Sequence, residues 1–194
     1  MKKDRNVFDK HAKSLWSSAS KYGEAASEKK GVAPATRGIA LAAVLIGLAV
    51  VLSPFYVPLG DTKVFPAQHM VNVLAGILLG PWWAVFVALA TGTIRNMLGL
   101  GTIYAYPGGV FGGLVVGIVY RYIKSTDYAA LLESFGTVFI GGSLSALVVS
   151  PYLGRSATLY FFWTAFAVSC IPGSVLGLIV LKALRRVRVD RYLL

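Results

Sequence analysis

The stretch VFPAQHMVNVLAGILLGPWW, residues 64–83, is apolar enough to cross a membrane, yet its first turns carry three polar side chains. The next apolar segment ends in RNMLG, residues 95–99, which begins with two more polar side chains. An arginine at the centre of a membrane helix costs about 2.5–3.5 kcal/mol, so such residues usually face a cavity or a partner. We therefore expect one pocket to be lined by the hydrogen-bonding side chains of both segments, which are Gln68, His69, Asn72, Arg95 and Asn96.

The composition predicts an all-α integral membrane protein. The chain has 194 residues, of which 56% are hydrophobic and only 14% are charged, against about 25% charged residues in soluble domains. Its mean hydropathy is +0.68. Apolar residues occur in blocks long enough to cross a hydrocarbon layer about 30 Å thick, which takes about 20 residues of helix. The chain has room for six transmembrane helices and for no separate soluble domain.

Proline, glycine and charged residues separate the apolar blocks and set their approximate bounds. We expect a basic tail at 1–36, a six-helix membrane domain at 37–185 and a second basic tail at 186–194. Two interpretations of the first tail stay open, an amphipathic helix on an anionic membrane surface and a partly disordered segment. The predicted spans are residues 37–57, 64–79, 82–98, 107–122, 134–150 and 157–184.

The distribution of basic residues predicts the orientation. The formal net charge is +11, and the Lys and Arg residues gather in the two tails and at 121–124. This clustering is typical of the cytoplasmic segments of membrane proteins, so nucleic acid is not expected as a partner. Six spans place all three clusters, and therefore both termini, in the cytoplasm. The polar ends of the second and third spans then lie in the outer half of the cell membrane.

Helical spacing supports a shared pocket but leaves alternatives. His69 and Asn72 lie three residues apart on one face of the second span, and Arg95 ends the corresponding face of the third. Arg95 could instead extend to the head groups, and the other two could simply join helices by hydrogen bonds. Tyr104 and Tyr106, in the loop GLGTIYAYPGG, could close over a planar ligand or belong to an interfacial aromatic belt.

Catalytic and energy-coupling motifs are missing from the sequence. We find no phosphate-binding GxxxxGK[ST] loop and no GxSxG or HExxH motif, so neither an ATPase nor an enzyme is expected. Glu133, predicted at the cytoplasmic end of the fifth span, is the only carboxylate between Asp127 and Asp190, which gives little support to proton or sodium coupling. No cofactor and no metal site are expected, and the single cysteine, Cys170, is interpreted as a buried thiol.

The runs FPAQHMVNVLAGILLGPWWA and TIRNMLGLGTIYAYPGG resemble the ThiW family. This family comprises the presumed substrate-binding (S) components of energy-coupling factor (ECF) vitamin transporters that are specific for the thiazole precursor of thiamine. The resemblance covers residues 37–185 and implies a six-helix S-component-like bundle that binds hydroxyethylthiazole from outside. It also implies a membrane coupling (T) subunit and two cytoplasmic ATPases as partners. In such families small residues of the first helix contact the coupling subunit, and the nearest match is Ala43 with Gly47.

Three rival interpretations stay open. The chain could be an S component for another vitamin or precursor, such as the pyrimidine half of thiamine. It could be a stand-alone facilitator that forms oligomers through the glycines of the fourth span, Gly109, Gly113 and Gly117. A membrane enzyme or assembly factor ranks last, because the chain offers no catalytic set.

Overall fold

The computed structural model describes residues 34–59 and 62–187 of the chain. The chain divides into two units, Met1–Thr36 and Arg37–Leu194, and the helix bundle belongs to the second except for residues 34–36 of its first helix. The predictions for residues 1–33, including the amphipathic helix, and for most of the C-terminal tail lie outside the described residues.

Within these residues the protein is helical, with one short pair of strands. Between the first two helices, strand β1 (Val57–Leu59) pairs antiparallel with β2 (Thr62–Val64), with Val57 opposite Val64. The fourth helix continues without a break into a π-helical turn, Val119–Ile123. The helices are α1 Pro34–Val51, α2 Pro66–Leu78, α3 Pro81–Met97, α4 Ala105–Ile118, α5 Asp127–Tyr152 and α6 Leu159–Arg186.

Several predicted bounds were wrong. The first helix ends at Val51 and not near residue 57, because the following residues turn and then form the strand pair. The second begins at Pro66, since Val64 belongs to β2. The fifth begins at Asp127, seven residues before the predicted residue 134. Two of the helices, α5 and α6, are long and apolar enough to cross a membrane.

Prolines start helices α2 and α3, and Pro34 is the first described residue of α1. Pro66 and Pro81 occupy the first turns of α2 and α3, where a missing backbone N–H leaves no hydrogen bond unmade. Gly80 connects these two helices with a φ of 95°, a conformation that suits glycine best. The sharp turn at residues 79–80 therefore returns α3 alongside α2, and α2 is limited to 13 residues. At 1.5 Å per residue it is about 20 Å long, shorter than the hydrocarbon layer.

Helix α5 departs from regular α-geometry along most of its length. It starts as a 3₁₀ segment, Asp127–Leu132, and contains two π-helical turns, Gly136–Gly141 and Ser145–Val149. Single π turns inside helices are rare and are often found at functional sites. Each change of winding rotates the side chains that follow, so positions on α5 cannot be placed by a regular 3.6-residue repeat.

Small residues let the helices approach closely. A Cβ built on Gly113 would lie 3.1 Å from the Ala84 side chain of α3, and one on Gly117 would lie 2.6 Å from Pro81 Cα. In the same way, Gly177 of α6 faces Val73 of α2. The glycine face of α4 thus packs against helices of its own chain, and these contacts leave it no role in forming an oligomer.

The core and the surface both contain large apolar side chains. The core brings α1, α2 and α3 together through buried residues such as Leu45, Leu74 and Val87. On the surface, Trp82 is 75% exposed and Ile179 is 57% exposed, among many other large apolar side chains. Soluble monomers rarely expose so many large apolar side chains. The helix bundle is therefore suited to a surrounding of lipid.

Candidate ligand-binding cavity

A cavity of about 640 Å³ opens at the end of the bundle where the 99–104 and 153–158 connections lie. Its volume falls within the roughly 300–1,000 Å³ of small-molecule sites. Helices α2, α4, α5 and α6 all contribute to its wall. Helix α3, which was expected to supply part of the pocket, contributes no lining residue.

One side of the cavity is aromatic. Tyr104 and Phe162 lie with ring centroids 4.8 Å apart, and Phe162 also contacts the rings of Phe161 and Phe166. All four rings line the cavity. They come from the loop before α4 and from the first two turns of α6, where Thr158 caps the helix by accepting a hydrogen bond from the Phe161 N–H at 3.2 Å. An apolar wall of ring faces and edges suits a planar ligand.

The first turn of α2 supplies two of the polar side chains of the wall, whose other polar members are Thr102, Thr137, Ser150, Arg155, Ser156 and Ser169. Gln68 and His69 both line the cavity and are 7% and 6% exposed. Ser169 of α6 lies beside them and accepts a hydrogen bond from the Phe65 N–H at 2.9 Å. Two polar side chains thus project from adjacent positions of a short helix that starts inside the bundle.

Glu133, fully buried at 0% exposure, lies behind His69. Its Oε1 is 2.7 Å from His69 Nδ1 and accepts hydrogen bonds from Asn72 Nδ2 at 3.2 Å and Thr137 Oγ1 at 2.8 Å. Its Oε2 accepts a hydrogen bond from Ser174 Oγ at 2.9 Å. A buried carboxylate is stable only when donors surround it in this way. The carboxylate therefore ties together α2, α5 and α6.

Helix α4 makes room for the Glu133 carboxylate by having a glycine at position 112. A Cβ on Gly112 would overlap Thr137 Oγ1 and Glu133 Oε1. The Thr137 hydroxyl also lies 3.1 Å from the Gly108 carbonyl oxygen, which brings the carboxylate group within reach of α4 as well. Glycine at position 112 is thus required by the volume of the buried polar cluster.

Arg95 is buried behind Gln68. It is 1% exposed, its Nη1 donates a hydrogen bond to Gln68 Oε1, and its guanidinium lies 4.1 Å from the centroid of the Phe65 ring. Its Nε and Nη2 have no hydrogen-bond partner among the described residues. Arg95 thus does not extend to the head groups, which was one of the two alternatives for this residue.

The seven side chains predicted to bind substrate fall into three groups. Gln68, His69 and Tyr104 line the cavity. Asn72 and Arg95 are buried behind that wall, in contact with Glu133 and Gln68. Neither of the remaining two lines the cavity: Asn96 donates to the Thr102 carbonyl at 3.4 Å, and Tyr106 donates to Thr93 Oγ1 at 3.1 Å. A binding role for any of the seven stays a prediction.

Sequence reasoning missed Glu133, Thr137, Ser174 and the phenylalanines of α6. The signal for Glu133 was present, because an acid close to an apolar block is a functional candidate. The sequence predicts Glu133 at the end of the helix, because the apolar run begins at residue 134. The structure instead places it six residues inside α5, at the level of His69.

The predicted subunit contact lies on α1, which contributes no residue to the cavity wall. Ala43 and Gly47 are both exposed, and a Cβ on Gly47 would meet nothing within 4 Å. Ala43 lies in a second, apolar groove of about 540 Å³ that α1 forms with the start of α3. This groove is lined by Ile39, Ala42, Ala43, Ile46, Trp82, Trp83 and Phe86.

Comparison with known proteins places the chain in one family. Residues 39–187 match the family described as thiamine-precursor transporter protein (ThiW). The match covers most of the chain and nearly the whole of the described helix bundle. No curated protein matches the chain.

Removing the buried carboxylate should destabilise the bundle. We expect Glu133→Ala to lower the free energy of unfolding by about 3–5 kcal/mol, because four donors would lose their common acceptor. Glu133→Gln, which keeps one acceptor oxygen, should lie in between. Thermal unfolding in detergent measures the effect.

A matched control lies at the start of the same helix. Asp127 pairs with Arg185 at 2.9 Å, and the Arg185 side chain is 36% exposed. Because partly exposed pairs contribute little, Asp127→Ala should cost about 1 kcal/mol or less. Equal losses of thermal stability in Glu133→Ala and Asp127→Ala would contradict the proposed importance of the buried carboxylate.

Proposed function

Because the chain belongs to the ThiW family of thiamine-precursor transporters, we propose that it is the substrate-binding component of an ECF transporter and that its cavity binds hydroxyethylthiazole. The family is one of membrane transporters and not of enzymes, so the prediction that the chain is not an enzyme is confirmed. The observation that carries the proposal is a cavity whose wall combines four aromatic rings with the polar side chains of Gln68 and His69.

The chemistry of the ligand fits this division of the wall. Hydroxyethylthiazole is an uncharged planar ring with one ring nitrogen and one hydroxyl group. The ring would lie against Phe161, Phe162 and Tyr104, where its apolar faces leave water. The nitrogen and the hydroxyl would meet Gln68 and His69. A ligand with so few polar atoms needs only these few partners.

The proposed topology has six membrane spans with both termini in the cytoplasm. The basic residues at the end of α6, Lys182, Arg185 and Arg186, favour the cytoplasmic side for that end. Arg121 and Lys124, after α4, favour the same side. The cavity mouth, bounded by the 153–158 connection, belongs to the opposite end of α5 and α6. The ligand would therefore enter from outside the cell.

Energy would come from two cytoplasmic ATPases through a membrane coupling subunit, as in ECF transporters. The exposed face of α1, with Ala43 and Gly47, is the proposed contact with that subunit. Its small side chains would allow a partner helix to approach closely. The adjoining groove would receive larger apolar side chains of the partner.

Ligand binding by the purified protein tests the first part of the proposal. We expect hydroxyethylthiazole to bind and the pyrimidine half of thiamine to bind more weakly or not at all, as measured by titration calorimetry. Phe161→Ala should weaken binding by roughly fivefold, equivalent to about 1 kcal/mol of lost ring contact. Phe135→Ala is the matched control, since Phe135 is similarly exposed at 52% but does not line the cavity.

Two outcomes would reject the proposed binding of hydroxyethylthiazole in this cavity, and they have different consequences. Preference for the pyrimidine would keep the transporter class and change the ligand. Equal binding by Phe161→Ala and the wild type would show that the ligand occupies another place.

Co-purification from membranes of the native host tests the coupling partner. Gly47→Trp should abolish co-purification with a coupling subunit and its ATPases while leaving hydroxyethylthiazole binding unchanged, because a large side chain would block close helix contact. Ile179→Trp, which places the same large side chain at an exposed position of α6, should leave the complex intact. Uptake into liposomes by this chain alone, without ATP, would instead favour a facilitator.

A further inference from the structure

Two of the polar side chains that line the cavity, Gln68 and His69, are each held from behind by a buried charged residue. We propose that Arg95 and Glu133 are positioning residues that fix the hydrogen-bonding polarity of the site, so that Gln68 presents only N–H donors and His69 presents Nε2 to the ligand. This inference rests on the proposed function and names the chemical groups that the ligand must bring.

The orientation of the Gln68 amide follows from the chemistry of Arg95. A guanidinium group has five N–H donors and no acceptor, so the amide atom that faces it must be the carbonyl oxygen. Arg95 Nη1 donates to Gln68 Oε1 in this way. The amide nitrogen then points toward α4, where a Cβ on Gly109 would lie 3.0 Å from Gln68 Nε2. Since Gly109 also lines the cavity, the ligand meets a donor there.

The orientation of the His69 ring follows from Glu133. The carboxylate oxygen 2.7 Å from His69 Nδ1 also accepts from the Asn72 amide, whose nitrogen can only donate. This oxygen is therefore an acceptor, and Nδ1 carries the proton. The hydrogen bond at one ring nitrogen fixes the role of the other. Nε2 is left as the atom of His69 that a ligand can reach.

The ligand must complement this pair of atoms. Opposite Gln68 it needs an acceptor such as a ring nitrogen, because an N–H group placed there would meet another donor. Opposite His69 Nε2 a hydroxyl group suffices, since it can donate or accept. The two buried charges have opposite signs and each contacts the wall from behind, so the pair does not call for a charged ligand. An uncharged aromatic heterocycle with a ring nitrogen and a hydroxyl group meets these requirements.

The variant Gln68→Glu separates positioning from simple packing. Glutamate keeps the shape of glutamine and offers a carboxylate oxygen to Arg95. Arg95 is a buried cation with no acidic partner among the described residues. The Tm of the variant should therefore equal that of the wild type or exceed it. The substitution replaces the N–H donors that face the cavity by an acceptor. Affinity for hydroxyethylthiazole should therefore fall by about tenfold or more.

Two results with Gln68→Glu would overturn the proposal. Unchanged affinity in the folded variant would show that the ligand does not use a donor at this position. A clear fall in Tm would show that Arg95 does not face a side-chain oxygen.

The roles of the His69 nitrogens can be read directly by NMR. The chain has two histidines, so His11→Gln leaves His69 as the single histidine signal after ¹⁵N-histidine labelling. We expect Nδ1 to be protonated, and we expect added hydroxyethylthiazole to shift the Nε2 resonance while Nδ1 changes little. An unprotonated Nδ1, or a ligand-induced shift confined to Nδ1, would overturn the proposal.

These readouts distinguish the inference from the proposed function. Failure of wild-type protein to bind any thiazole compound would reject the function. The protonation of His69 Nδ1 and the Tm of Gln68→Glu would still report on whether Glu133 and Arg95 hold their neighbours as inferred.

Discussion

The arrangement of the bundle depends on the burial of one carboxylate. Glu133 is fully inaccessible to solvent, and its stability in that position requires donors from α2, α5 and α6 at the same time. These hydrogen bonds fix the positions of the three helices relative to one another along their axes. The cavity lies next to this point, so its polar wall is built on one of the most constrained parts of the structure.

Different kinds of side chains lie at the two ends of the bundle. Near the turn at Gly80, helices α1, α2 and α3 pack through apolar side chains and small residues. At the other end, polar side chains and aromatic rings surround an open volume. Under the proposed function, this division would let the cavity end rearrange for ligand release while the other end stays packed. The exposed face of α1 adjoins the packed end, where a partner could dock without disturbing the cavity.

Some of this structure could be predicted from the sequence. The contacts that could not be predicted depend on the irregular winding of α5 and on which residues of different helices lie at the same level. Burial of Arg95 could be expected, since the cost of a charge in lipid favours an interior position. The contact of Gln68 with Arg95 could not, because residues in different helices are not related by spacing along the chain. The role of Glu133 was missed because α5 begins seven residues earlier than its apolar run. Its 3₁₀ and π turns then aim side chains in directions that a regular repeat does not give.

Protection of a cysteine in the cavity wall tests the central claim most directly. With Cys170→Ser, the chain has no other thiol, so Ala165→Cys would place a single one in the wall of the cavity, and Tyr152→Cys a single one at a site that is 88% exposed and outside it. Hydroxyethylthiazole at about ten times its Kd should slow labelling of Ala165→Cys by about tenfold and leave Tyr152→Cys unchanged. Equal labelling rates with and without ligand, in a variant that still binds it, would show that the ligand does not occupy this cavity.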